Sequence, residues 1–435
     1  MKRASLLQSI MLVLLFTACA APNEKGTVSN ADSSNNSEIV FKMPQMPEYR
    51  HSDISGSDNG IYEIVGEGEN FNILYSDYNT KQQVYLCNAP SCMHDSDSCT
   101  AFIPFNGAAV YPIAAGDKLV LEFIGDEYAE NATEYNLPHL EICDANGANR
   151  KMLAKFAPSD RIYGAYACDG KKLYFKVTHT ISQGENVVET SEIISVDLAT
   201  GGKESLMKAG SNETLFLLGG ANKLIVKKIY SEKKLEDFTG NDAMDKFIAS
   251  QIHEIYELST DGSHKKLLKK YNQYTIKDAM FDNWYFTLDC KDPLKPVLSK
   301  MNVVTGEETI VTTLSFAEKE YYNISALVDD QVIIYTNAAT SDQKDYQTAI
   351  NINTGATTLI SLEALNNGQM RPVLIEDEFD DQLLVIAKVE EVLKQTKGQD
   401  GNLRKFMGIV NHRALISKSD FFASLDNYEY IEVIK

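Results

Sequence analysis

Asp169-Gly170-Lys171-Lys172-Leu173-Tyr174-Phe175-Lys176, followed by Asp197-Leu198-Ala199-Thr200-Gly201, decides how this chain is read. The first stretch is a turn that feeds an apolar strand. The second is a strand that ends in a tight turn, where Gly takes positive φ at no steric cost. The pair recurs. The first apolar residue after each Asp/Asn/Gly turn is Ile61, Leu119, Leu173, Leu224, Trp284, Val332 and Leu383, with spacings from 48 to 60 residues. A second turn follows in most copies, at Asp77–Thr80, Asp144–Gly147, Asp197–Gly201, Thr260–Gly262, Asn302–Gly306 and Asn351–Gly355. The seventh copy is degenerate near Lys418-Ser419-Asp420.

Short runs rich in Val, Ile, Tyr and Phe, such as Ile193-Ile194-Ser195-Val196, lie between these turns and read as strands. Each unit therefore holds four strands, and four-stranded units near 50 residues mean a β-propeller. Seven anchors predict an all-β fold of seven four-stranded blades. The "D-G-x-x-L-Y-F" strand and "D-x-x-T-G" turn resemble those of TolB-like propeller lipoproteins over nearly the whole mature chain. WD40, sialidase Asp-box and tryptophan-docking signatures are absent, and Trp284 is the single Trp.

Antiparallel strands place the tight turns of all blades on one face and the remaining connections on the other. The long insertions Gly125–Pro138, Ser182–Thr190, Ser231–Gln251, Ala338–Asp345 and Val389–Arg404 all rise from that second face. Loops on a rigid scaffold are where binding concentrates. Within one insertion, Asp242–Gln251 reads as a short helix whose Met244, Phe247 and Ile248 pack on the propeller rim.

The N-terminus supplies an address. Met1-Lys2-Arg3 is a basic region, Leu6–Phe16 an apolar core too short to span a membrane, and Phe16-Thr17-Ala18-Cys19 resembles a lipobox. The expected organisation is a signal peptide over 1–18, a polar tether over 19–37 after lipidated Cys19, and the propeller over 38–435. The chain is then a cell-envelope, extracytoplasmic protein held to the membrane by its lipid alone. The formal charge of −20 opposes binding to nucleic acid or anionic headgroups.

Cys87-x4-Cys92-x-His94-x4-Cys99 gathers three thiols and an imidazole in one loop after the last strand of blade 1. Two readings stay open: a closed structural zinc site, or disulfides, which an oxidising compartment favours. Cys143, Cys168 and Cys290 complete an even set. By connectivity the loop belongs to the insertion-bearing face.

No Gly-x-Ser-x-Gly elbow, His-Glu-x-x-His or P-loop is present. His51, His139, His179, His253, His264 and His412 are scattered. Glu376-Asp377-Glu378 and Asp380-Asp381 offer carboxylates, the latter at a repeat turn. The resulting expectation is a monomeric, non-catalytic binding or scaffolding module for an envelope protein or extracellular ligand. The alternative is a propeller-type lyase or hydrolase acting on polysaccharide or peptide.

Overall fold

The Asp/Asn-to-Gly turns fold on themselves by side chain and backbone together. Asp197 Oδ1 accepts the amides of Ala199 and Thr200 at 3.1 and 2.8 Å, while the Gly201 amide donates to the Asp197 carbonyl at 2.8 Å. Asn302 and Asn351 repeat the arrangement. Gly201, Gly306 and Gly355 take φ of 73°, 77° and 72°, which non-glycine residues adopt only with strain. Gly201 is doubly required, because a Cβ there would sit 1.9 Å from the Leu153 carbonyl of the neighbouring blade.

The protein is seen in a computed structural model that describes residues 54–434 apart from 68–69, 105–108, 126–136, 163, 184–185, 211, 221–222, 241, 273–274, 341–342, 367 and 398–402. The leader, Cys19, the tether and His51 lie outside the described residues, as does most of Gly125–Pro138.

The described strands form seven sheets, one per repeat. Blade 1 runs Ile54–Gly56, Gly60–Glu67, Asn70–Asp77 and Gln82–Tyr85. Blade 2 is Val110–Ala115, Lys118–Phe123, His139–Asp144 and Lys151–Lys155. Blade 3 begins with the broken strand Asp160–Ile162 and Ala167–Cys168, then Lys172–Gln183, Asn186–Asp197 and Lys203–Lys208. Blade 4 spans Glu213–Tyr271, blade 5 Ile276–Thr313 and blade 6 Tyr321–Ile360. Blade 7 has Leu374–Phe379, Gln382–Lys397, Leu403–Ser417 and Glu429–Tyr430, with a side hairpin Glu363–Asn366 and Gln369–Pro372.

The period of two in the second strands packs blade on blade. Leu173, Phe175 and Val177 meet Val120, Leu140 and Ile142 of blade 2. Tyr174, pointing the other way, meets Leu215, Leu224 and Val226 of blade 4. The anchors Ile61, Leu119, Leu173, Leu224, Val332 and Leu383 are all fully buried. Each contributes about 1.5–3 kcal/mol of burial. Blade 5 departs by one residue. Trp284 pairs with Asn302 as Lys172 pairs with Asp197, so Tyr285, also buried, is the true anchor.

Three further expectations change. The seventh second-turn is a helix, Lys418–Phe422, capped by Ser417 Oγ, which accepts the Asp420 amide at 3.0 Å. Ser182–Thr190 and Val389–Arg404 are continuations of paired strands, with register kept to Gln183↔Asn186 and Lys397↔Leu403. Their β-branched and Thr residues favour extension over looping. The helix Ala243–Ala249 forms but buries no residue, leaving Met244 52% and Ile248 38% exposed. Its Phe247 meets Phe238 of its own insertion, centroids 6.2 Å apart, and the stripe does not pack on the propeller rim.

The ring closes between blades 7 and 1. The last strand, Glu432–Val433, adds in parallel to the outer strand of blade 1, pairing with Gln82 and Gln83. Arg413 of blade 7 donates to Glu376 at 2.6 Å and to Glu63 of blade 1 at 2.8 Å. Tyr78 of blade 1 donates to Asp377 of blade 7 at 2.6 Å. Lys418 pairs with Glu378 at 2.5 Å. The acidic run Glu376-Asp377-Glu378 is therefore consumed by blade 7 and its seam.

Candidate functional sites

The cysteine loop is spliced into the outer strand of blade 1. That strand starts as Gln82–Tyr85 against Leu74–Asp77 and resumes as Phe102–Pro104 against Asn70–Asn72. Both ends of the excursion bond the same residue, Ile73. Its carbonyl accepts the Leu86 amide at 2.9 Å and its amide donates to the Ala101 carbonyl at 2.8 Å. Because pairing resumes beyond the loop, the loop leaves from the outer rim of blade 1. The expectation that it belongs to the insertion-bearing face is corrected. Arg150 of blade 2 holds the exit, donating to the carbonyls of Phe102 and Thr100 at 2.8 and 2.6 Å.

Within the loop the expected ligand atoms of Cys87, Cys92, His94 and Cys99 all lie within 4.8 Å of one another. His94 Nδ1 is 3.3 Å from Cys99 Sγ, and its ring stacks on Tyr85 at 4.1 Å. Ser91 and His94 adopt φ of 60° and 57°, a strained conformation for non-glycine residues. Burial pushes the Cys99 thiol up to about 11. At Cys87 burial also opposes the thiolate, but hydrogen bonds from the Ala89 backbone, Cys99 and Cys92 outweigh it and lower the pKa. Three soft donors and an imidazole at this separation form a Cys3His cluster of a kind that suits zinc; manganese favours oxygen. The six described cysteines are unbridged. Cys143, Cys168 and Cys290 are not among the four grouped donors and contact Leu119, Gly170 and Leu288, although Cys143 shares with Cys99 the core cluster on which Cys87 and Cys92 pack.

A second constellation went unread in the sequence. His179 Nδ1 lies 2.8 Å from Asp160 Oδ1 and Nε2 lies 2.9 Å from Glu192 Oε1. The three belong to the first, second and third strands of blade 3, on the side that faces blade 2. Glu192 also accepts from Ser205 Oγ at 2.5 Å. With both ring nitrogens against carboxylates, a doubly protonated imidazole can donate to both. Burial works against that charge, yet the hydrogen bonds to Asp160 and Glu192 raise the pKa overall. Burial likewise raises Glu192, but Ser205 and His179 lower it further. His179 is 32% exposed. Its strand leaves the tight turn at Asp169, so His179 lies toward the opposite, insertion-bearing end. The partners stand 19 and 13 residues away in sequence, and only period-two parity hinted at a shared side.

The other histidines have structural roles or small ones. His139 is buried, stacked on Phe123 at 4.3 Å. His253 stacks on Tyr271, and burial with the Lys227 charge pushes it down to about 4. His412 meets Glu390 at the surface.

Corresponding positions of the second strands in blades 2, 3 and 4 carry buried charges: Glu122, Lys176 and Lys227. Glu122 accepts from Tyr166 of blade 3. Lys227 pairs with Asp278 of blade 5 at 2.7 Å. The Lys176 ammonium lies over the Phe216 ring at 4.5 Å, and burial pushes it down to about 8. On the tight-turn face, a cleft of about 230 Å³ opens among blades 1 to 3, lined by Ser57, Asp58, Gly116, Tyr166 and Asp169. Asp169 is already engaged by the amides of Lys171 and Lys172 and by Tyr174.

No family model and no curated protein matches the sequence. Among solved structures, the chain is similar to an oligogalacturonate lyase in complex with manganese, at 11% identity over 78% of this chain and 82% of that one, TM-score 0.42. An oligogalacturonate lyase from Vibrio parahaemolyticus is similar at 12% identity, covering 88% and 95%, TM-score 0.45. A puromycin-hydrolyzing peptidase of Mycobacterium tuberculosis is similar at 9% identity, covering 93% of this chain and 55% of that one, TM-score 0.49. At these identities and TM-scores the likeness carries no argument; the propeller rests on the seven sheets described above, and the resemblance to TolB-like lipoproteins reaches no further. One expectation is corrected. The solved propellers to which the chain is similar are named as enzymes, against the expectation of a non-catalytic binding module.

Proposed function

We propose that this protein is a propeller-type enzyme that cleaves a polysaccharide or peptide, with His179 as its proton-handling group. The observation that carries the reading is a partly exposed imidazolium held between Asp160 and Glu192 toward the end of the blade where the insertions arise. A proton held there can pass to the leaving oxygen or nitrogen as its bond to carbon breaks. A carboxylate can take a proton from the attacking water or from the substrate carbon, so protons balance over a turnover. The net charge of −20 favours neutral or cationic substrates over polyuronates.

The enzyme works outside the cytoplasm, anchored through lipidated Cys19 and acting as a monomer on envelope or extracellular material. What supports the address is the order of basic, apolar and small residues before Cys19. Among the described residues no helix is long and apolar enough to cross a membrane. The Cys87–Cys99 cluster holds a structural zinc with no open position for chemistry; its soft donor set supports this reading.

The test is turnover on panels of neutral glycans and peptides, reading new reducing ends, unsaturated products or new amines. Cleavage by the native protein, lost in His179→Asn with the fold intact, is the expected result. Absence of turnover on every panel, or full activity in His179→Asn, overturns the reading.

A further inference from the structure

We propose that zinc held by Cys87, Cys92, His94 and Cys99 locks the propeller ring shut by fixing the short strand on which the chain's last strand docks. The proposal rests on the zinc reading of the cluster given above.

Among the described residues Glu432–Val433 pairs with Gln82 and Gln83, and the flanking amides of Glu432 and Ile434 donate to the carbonyls of Lys81 and Gln83 at 2.8 and 2.9 Å. Lys81 and Glu429 add an ion pair. The receiving strand, Gln82–Tyr85, is itself short and sits outermost on its blade, with Leu74–Asp77 behind it. Among the described residues, the backbone bonds that tie the chain's end to blade 1 run to Lys81, Gln82 and Gln83.

The same strand runs straight into the cluster. Tyr85 is its last residue and carries His94 stacked on its ring. The Cys87 amide donates to the Tyr85 carbonyl at 2.6 Å. On its far side the loop returns through Ala101, whose carbonyl accepts the amide of Ile73, the residue whose own carbonyl accepts the Leu86 amide. Fixing four donors on one ion thus fixes both strand ends against Ile73.

Apart from the four donors, the loop is held at its neck, where Thr100 Oγ1 donates to the Leu86 carbonyl at 2.5 Å, and by Arg150 at its exit. From Asn88 to Ser98 no side chain is buried, and its backbone bonds are local turns such as Cys92 to Ala89. The left-handed conformations of Ser91 and His94 oppose this shape, and metal bonds offset that strain. A tetrahedral zinc with thiolate bonds of about 2.3 Å needs its sulfurs about 3.8 Å apart, within the spread of the donors. A disulfide would use two thiols and leave the third with His94.

The experiment measures zinc in the purified native protein by mass spectrometry, then hydrogen exchange in Gln82–Tyr85 and Glu432–Val433 before and after chelation. Blade 4 is the internal reference. The expected result is one zinc per chain and at least tenfold faster exchange in both strands after chelation, with blade 4 unchanged. His94→Asn should bind zinc more weakly and show the same pattern. Tyr85→Leu should keep the zinc yet loosen both strands, since it removes only the link. Absence of zinc, with a bridge between two of the loop cysteines, removes the zinc reading and the proposal with it. Bound zinc whose removal leaves both strands unchanged, or loosens blade 4 equally, leaves the site standing and overturns the lock.

Discussion

Arg413 and Glu63 stand 2.8 Å apart across the blade 7–blade 1 seam although 350 residues separate them in sequence. Arg413 is 6% exposed, and Glu63 also accepts from Gln83 of the strand that receives the chain's end. Breaking one partner of such a pair leaves a buried charge without its counter-ion, at about 3–5 kcal/mol. Arg413→Ala is expected to lower unfolding free energy by that amount in a denaturant titration. A change below about 1 kcal/mol would show that this ion pair adds little to the seam.

Gly201 and Gly306 provide a controlled pair. Both hold positive φ in the same turn of different blades, but a Cβ at Gly306 meets nothing within 4 Å. Gly306→Ala is expected to cost about 1 kcal/mol from backbone strain alone. Gly201→Ala adds the collision with Leu153 and is expected to cost at least about 1 kcal/mol more. Equal melting temperatures for the two variants would contradict the close approach of the blades.

Lys176 makes stability depend on alkaline pH in a defined direction. Its folded pKa near 8 lies below the unfolded value of 10.5, so the unfolded chain binds more protons in between. The destabilisation is fully present below about pH 8, eases as pH rises and is gone above the unfolded value. Lys176→Met is expected to raise stability by about 3 kcal/mol at pH 7, an advantage that shrinks toward pH 10. Thermal melts of both proteins across that range check the sign; an advantage that grows with pH refutes it.

His179 acts in the opposite sense. Its folded pKa is raised, so its contribution is complete below the ordinary histidine range and is lost as pH climbs through the folded value. Partial exposure keeps the effect below about 1 kcal/mol. The difference in melting temperature between the native protein and His179→Asn should therefore narrow from pH 5 to pH 8. A constant difference would mean that the imidazole is not held charged by Asp160 and Glu192.

The sequence alone determined the propeller. Turn chemistry is local, and Asp197-to-Gly201 and its copies carry their geometry within a few residues. Burial of one anchor per blade follows from the same repeat, with Trp284 off by one place because its aromatic neighbour Tyr285 satisfies the pattern equally well. The Cys87–Cys99 loop was legible too, since its donors are close in the chain. Tertiary structure decided the rest. The loop's place on the rim depends on where pairing with blade 1 resumes, at Phe102, which spacing does not encode. Glu376, Asp377 and Glu378 were committed to ring closure and blade 7 by Arg413, Tyr78 and Lys418, two of them distant in sequence from the seam they help close. Asp160, His179 and Glu192 meet only because three strands lie side by side, and contacts between strands are set by register, a property of the folded sheet.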